Sequence, residues 1–201
     1  MMSINDNRGY GYLAGLHGIP SWYCWHHQRN AHNALNARLF LPWHRAYLYT
    51  FEQSLKDRLP TTPLALPWWD WSSDISKSEG IPQAFSVETV GSDLNPLYKF
   101  HISVPNSNPP MDEDTNRTPG NPAELPTVDQ IKELISVANF NDFSDQLEDI
   151  HDQIHGWVGG TMGIIATASF DPIFWSHHCM IDNIWWMWQQ KNGLNNIPSN
   201  L

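Results

Sequence analysis

The chain has 201 residues, with 11 Lys and Arg against 21 Asp and Glu, a formal net charge of −10. That length supports one domain with a real core, and the acidic balance gives no electrostatic pull toward nucleic acid or an anionic membrane. Only 16% of residues are charged and 11 are Trp, which excludes a disordered chain and points to a packed aromatic interior.

No uninterrupted apolar window of about 18 residues occurs, so no membrane span is expected. The N-terminal MMSINDNRGYGYLAGLHG has no basic start followed by an apolar run, so the expected compartment is the cytoplasm. Within it, Tyr10, Leu13, Ala14 and His17 recur at helical spacing over residues 8–18, and Gly18 and Pro20 end the helix. Residues 21–38 begin as a loop and permit a short helix, although Asn is a poor helix former. LFLPWHRAYLYTFEQSLKDRL follows, with Pro42 in the first turn and His44, Leu48, Phe51 and Leu55 on one stripe, a helix that ends by Pro60. Residues 61–126 are rich in Pro, Ser, Asn and Asp with little periodicity. LALPWWDW is expected to pin this connection to the core, PNSNPPMDEDTNRTPGNP reads as exposed loop, and short strands at most are expected.

Three further helices are predicted. VDQIKELISVANF, opened by Pro126 or Thr127, turns Val128, Ile131, Leu134 and Ile135 to one side. Residues 143–157 place Leu147, Ile150, His151, Ile154 and His155 on one face, stopped by Gly159 and Gly160. Residues 173–190 bury Phe174, Ile181, Trp185 and Trp188.

His151 and His155 stand one helical turn apart, with Cβ atoms about 5–6 Å from one another, so both rings can grip one ion. His178, at the start of the Trp-rich helix, is the best-placed third ring. Three neutral imidazoles with an open position make a reactive centre and not a structural clip. Counting His17 and His44, five histidines lie on apolar helix faces. Buried without partners, their polar atoms would cost about 1–3 kcal/mol each, and metal ions between helices remove that cost. All-imidazole sites suit copper, zinc, iron or nickel. A zinc hydrolase of the H-E-x-x-H kind would need Glu where this chain has Asp152, which disfavours that chemistry.

LFLPWHRAYLYTFE, and DPIFWSHH with Asp182 four residues after its second His, resemble the two copper-site signatures of the type 3 copper family. That family comprises tyrosinases, catechol oxidases, o-aminophenol oxidases and molluscan-type hemocyanins, and the likeness runs from about residue 10 to 190. It implies a mainly α, single-domain fold over residues 1–201, an antiparallel four-helix bundle with long irregular connections and few short strands. The first copper half would span about 8–60, the connection 61–126 and the second half about 127–192. It also implies two copper ions in a binuclear site, dioxygen as co-substrate and a small phenol as substrate, hydroxylated if a monophenol and oxidised to an o-quinone if an o-diphenol.

Carried over residue by residue, the resemblance gives His151, His155 and His178 to the second copper, and His17 and His44 to the first. The remaining ligand departs from the pattern, because the usual position falls on Leu35. Some members bind through a His two after a Cys, joined to it by a thioether. Cys24, Trp25 and His26 reproduce that arrangement, so His26 is expected, with His27 and His32 as alternatives. Cys24 is either the thioether partner or a buried apolar residue, and Cys179 is expected in core packing.

Asp152, directly after a ligand, is the candidate base or water-orienting group, or else the acceptor that holds a ligand imidazole. Glu148, one turn earlier, is its possible paired acid or a solvated helix residue. Gly156 adds no bulk at the mouth and Ile165 aligns with the family's gate residue, so an open pocket is expected, or a close-packed turn. His101 is expected to be exposed, and His177 to lie outside the ligand shell or at the surface. Arg45 and Asp182 are expected in buried ion pairs. The expectation is an enzyme and not an oxygen carrier, since carriers of this family are large repeated chains with an added domain over the site, which is not evident here.

Overall fold

The computed structural model describes residues 1–24 and 38–194. Eleven helices and strands are labelled here in chain order among them. They are α1 (Tyr10–Ala14), α2 (Phe40–Lys56), α3 (Asp74–Glu79), α4 (Gln83–Ser86), β1 (Thr89–Val90), β2 (Asp93–Leu94), β3 (His101–Val104), β4 (Met111–Asp114), α5 (Val128–Ile135), α6 (Phe140–Val158) and α7 (Ile173–Asn192). The mainly α, single-domain expectation is met, and no helix among the described residues is long and apolar enough to cross a membrane. The short helix expected within 21–38 falls largely on residues 25–37, outside those described.

The three long helices form the frame of the site. α2 buries Phe40, Leu41, His44, Tyr47, Leu48 and Phe51, a stripe of three- and four-residue steps. α6 does the same with Phe143, Leu147, His151, Ile154 and Val158. It begins three residues earlier than the periodicity predicts, because the Asn139 side chain accepts from the Asn141 and Asp142 amides and supplies the cap. It stops at Gly159, where φ is +64° and an added Cβ would lie 2.3 Å from Thr118 Oγ1.

α7 is buried all round through its first six residues and then turns Cys179, Asp182, Asn183 and Trp186 toward solvent. Phe51 of α2 stacks on Trp175 at 3.7 Å, and Phe143 of α6 stacks on Trp188 at 4.9 Å. Each such aromatic contributes about 1.5–3 kcal/mol of burial. α5, held by a Thr127–Gln130 capping box, braces α6 and α7 from outside.

One expectation needs correction. α1 ends at Ala14, so His17 lies in a turn beyond the helix. The chain is drawn across the core there, with the Ile19 amide donating to Ala166 O at 3.0 Å, and an α-helix through Gly18 could not make that contact. The 61–126 connection holds the short strands expected of it, preceded by the short helices α3 and α4. Ser73 caps α3 through the Ser76 amide, and two antiparallel hairpins, β1–β2 and β3–β4, form.

The segment read as exposed loop is mostly exposed, but it turns one charged side chain inward. Arg117 reaches the fully buried Asp171 in front of α7, with Nε at 2.8 Å from Oδ2 and Nη2 at 2.6 Å from Oδ1. The guanidinium also donates to the Phe85 and Leu97 carbonyls, and Asp171 Oδ1 accepts the Ile173 amide at 3.1 Å.

Candidate metal centre

α6 and α7 bring four imidazoles together. His151, His155, His177 and His178 each place a ring nitrogen within 4.8 Å of the others. His151 Nδ1 donates to Asp152 Oδ1 at 2.9 Å, and His155 Nδ1 donates to Met162 O at 2.7 Å. Those partners put the proton on Nδ1 and leave each Nε2 as a lone pair.

His178 Nε2 lies 3.3 Å from His151 Nε2 and 3.5 Å from His155 Nε2. Its own Nδ1 has no hydrogen-bond partner among the described residues. One N–H cannot satisfy two facing lone pairs and its own second nitrogen, so hydrogen bonding alone leaves the group in deficit. Two imidazole nitrogens bound to one tetrahedral ion at about 2.0–2.1 Å stand about 3.3 Å apart. The observed spacings fit that requirement.

Electrostatics favours the ligand form of the rings. Desolvation lowers the His155 imidazole to about 4, against the Met162 carbonyl, which raises it. Burial pushes His177 and His178 well below the ordinary histidine range, with their neighbouring imidazoles adding to the effect. All three are neutral near pH 7, as coordination requires.

That four-imidazole group is the second cluster, on the residues expected to hold the second copper, and the first cluster, on residues expected to hold the first copper, adjoins it. His17, Cys24 and His44, all buried, have ligand atoms within 4.8 Å of one another. His44 comes from α2 with Nδ1 donating to Phe40 O at 2.8 Å, which again turns Nε2 inward, and Cys24 Sγ lies 3.8 Å from that nitrogen. Burial holds the Cys24 thiol well above its usual pKa, with Glu148 adding to the effect. The His44 and His178 rings stack at 4.2 Å with planes 12° apart, so the two clusters share a wall. Phe174 packs on His178 at 4.1 Å and on His17 at 5.0 Å, and Phe40 touches both His44 and His151. These apolar rings keep water from the imidazoles.

The expected ligands His17, His44, His151, His155 and His178 therefore come together, His17 from a turn instead of a helix. His26, its alternatives His27 and His32, and any thioether from Cys24 to His26 lie outside the described residues. His177, expected outside the ligand shell or at the surface, is not at the surface but buried against the other three rings. The signal that could have found it is the stripe His177, Ile181, Ile184 and Trp188, at steps of four, three and four, opposite the polar Asp182 and Asn183.

Asp152 is 66% exposed at the side chain and accepts from His151. Partial desolvation raises its carboxyl, and Asp149 adds to the rise. Glu148 is half-buried instead of solvated, and burial first, then Asp152, Asp145 and Asp149, push it up to about 7. Gly156 faces open space, where an added Cβ would meet nothing within 4 Å, and Ile165 is exposed. His101 is exposed on β3, clamped between Asp114 and Asp112. Arg45 and Asp182 pair with each other at 2.5 Å, half-exposed instead of buried, with Arg45 lying 3.6 Å over the Trp185 ring. Cys179 is partly buried against the core.

Comparison with known proteins points to the same chemistry. The sequence model of the common central domain of tyrosinase matches residues 7–191. A tyrosinase of Podospora anserina is 28% identical over 91% of this chain and 45% of its own length. A hemocyanin of Enteroctopus dofleini, A-type units Ode to Odg, is 28% identical over 98% of this chain and 17% of its own. The structure of a functional unit from octopus hemocyanin superposes with a TM-score of 0.75 at 28% identity, covering 100% of this chain and 50% of that one. The chain thus spans about half, or less, of the relatives it resembles. The region matched by the family takes in both histidine clusters, whose donors and spacing fit one copper each, and the chain belongs to the tyrosinase family of type 3 copper proteins, which bind two copper ions.

Proposed function

We infer that this chain is a phenol oxidase that uses dioxygen to hydroxylate monophenols, to oxidise o-diphenols to o-quinones, or to do both. His17, His26 and His44 would hold the first copper, and His151, His155 and His178 the second. When bound, the copper pair supplies the redox chemistry: two o-diphenols each lose two electrons and two protons while one dioxygen becomes two waters.

The observation that carries the reading is the rim beside the second cluster. There Gly156 offers open space and the Asp152 carboxylate reaches solvent while holding His151, and Ile165, which aligns with the family's gate residue, is itself exposed. A carrier needs access for dioxygen alone, whereas a phenol needs room and a proton acceptor.

The residues at the rim then have separable roles. Asp152 Oδ1 orients the His151 ring. Its second oxygen is available to take the phenol proton, directly or through one water, since a free phenol has a pKa of about 10 and reacts as phenolate. Glu148, one turn earlier on α6, is the second carboxyl that could share that proton. Phe174 and Phe40 exclude water from the rings. A second reading, an oxygen carrier, stands beside it because the 28% identity to a hemocyanin equals that to a tyrosinase.

Oxygen uptake by the copper-loaded protein with a monophenol, and then with the matching diphenol, tests the proposal. Asp152→Asn keeps an oxygen to accept from His151 and removes the base. It should slow monophenol turnover by about 10²-fold or more while the diphenol rate falls less. Equal monophenol rates would remove Asp152 from proton transfer. Reversible dioxygen binding with no turnover of either phenol would establish the carrier.

A further inference from the structure

The second cluster holds one imidazole more than a three-ligand ion requires. His177 is 0% exposed, and neither of its ring nitrogens has a hydrogen-bond partner among the described residues. A polar group left that way costs about 1–3 kcal/mol and calls for a cause. Its ring lies over His151 at 5.2 Å with planes 23° apart, and meets His155 edge-on at 5.0 Å. It is part of the same group of mutually close nitrogens.

The four rings divide into two kinds. His151 and His155 are tied through Nδ1 to Asp152 and Met162, which fixes tautomer and orientation. His177 and His178 have no such tie on Nδ1. They are consecutive on α7, and His178 is drawn toward the first cluster by its stack on His44. Rotating His177 inward breaks no hydrogen bond, and the move from within 4.8 Å to about 3.3 Å is the scale of a side-chain rotation.

We propose that His177 is a reserve ligand of the second copper position. With His151 and His155 it holds the ion while His178 is not engaged, as during metal entry, and then yields to His178. The proposal rests on copper binding by the family and not on the oxidase reading, so the carrier alternative would leave it intact.

Four proteins test it: the unaltered chain, His178→Phe, His177→Phe and the double variant. Phe keeps a planar ring among aromatic neighbours, and far-UV circular dichroism checks the helices. In any protein that loses helix, Asn replaces Phe and the measurement is repeated. The readouts are copper per polypeptide after loading and desalting, and the concentration of a chromogenic Cu(I) chelator that strips each equivalent. The unaltered chain and both single variants should retain two equivalents. In His178→Phe the second should leave at about 10–100-fold lower chelator, and the double variant should retain one. A His178→Phe protein that already holds one equivalent, or a double variant that still holds two, overturns the reserve role. Fewer than two in the unaltered chain would overturn the copper assignment itself.

Discussion

Arg117→Met leaves the Asp171 carboxylate in the interior without its counter-ion. Three bonds link the two side chains, the guanidinium is 9% exposed and the carboxylate 0%, so solvent cannot replace what is lost. Breaking a buried pair by removing one partner costs about 3–5 kcal/mol, against about 0–1 for an exposed pair. With a urea dependence of about 2 kcal/mol per M, the apo protein's midpoint should fall by roughly 1.5–2.5 M at pH 7. Burial already holds the Asp171 carboxyl above the usual aspartate range, while Arg117 pulls it down. Without Arg117 it rises further. A carboxyl whose folded pKa exceeds its unfolded value stabilises the fold when protonated. The deficit should therefore be full at neutral pH and shrink as pH falls through the raised folded value toward about 3.9. Adding Asp171→Asn should recover part of the loss at pH 7. A midpoint change below about 0.5 M, with no pH dependence, would refute the argument that this pair anchors the start of α7.

Other outcomes follow from single contacts. Gly18→Ala puts a Cβ 2.1 Å from Ala166 O, main-chain atoms that cannot swing aside. Overpacking of about 1–3 kcal/mol should lower the melting temperature by roughly 2–12 °C and reduce copper retained beside His17; a variant that melts with the unaltered chain would show that the turn relaxes freely. The His101 imidazole is raised by Asp114 first and Asp112 second, and the Asp114 carboxyl is lowered by Lys99 first and His101 second. The His101 contribution is complete below about 6.5 and lost as pH rises through the raised folded value; that of Asp114 is complete above about 3.9 and lost as pH falls through its lowered value. Amide protection in β3–β4, corrected for the intrinsic exchange rate at each pH, should thus be highest between those limits and should lose its upper limb in His101→Gln. A flat profile in both proteins would remove the clamp.

What could be read from the sequence was whatever depends on a period. His44, His151, His155 and His178 sit on stripes of three- and four-residue steps, so their inward direction follows from spacing alone. His17 shares that spacing, yet the contact between Ile19 and Ala166, some 150 positions away, decides that α1 stops before it. Arg117 had no local sign of burial, because NRTPG is turn-rich and its partner lies in front of another helix. The β3–β4 hairpin pairs HISV with MDED, and the second strand shows no alternation of polar and apolar residues. Of the two places expected for His177, the surface is the one the structure removes, since His177 shares a stripe of three- and four-residue steps with the buried Ile181, Ile184 and Trp188.

The cross-tie between Arg45 and Asp182 connects the residue next to His44 with one a turn beyond His178, and Gln189 takes a further bond from the same guanidinium. It therefore acts as a gauge for the gap between metal positions: α2 and α7 cannot slide along one another without parting it. The tolerance of the binuclear spacing is set on the outer flank of the helix pair, away from the rings it governs. Loops at the mouth can then diversify for different guests while that separation stays the same.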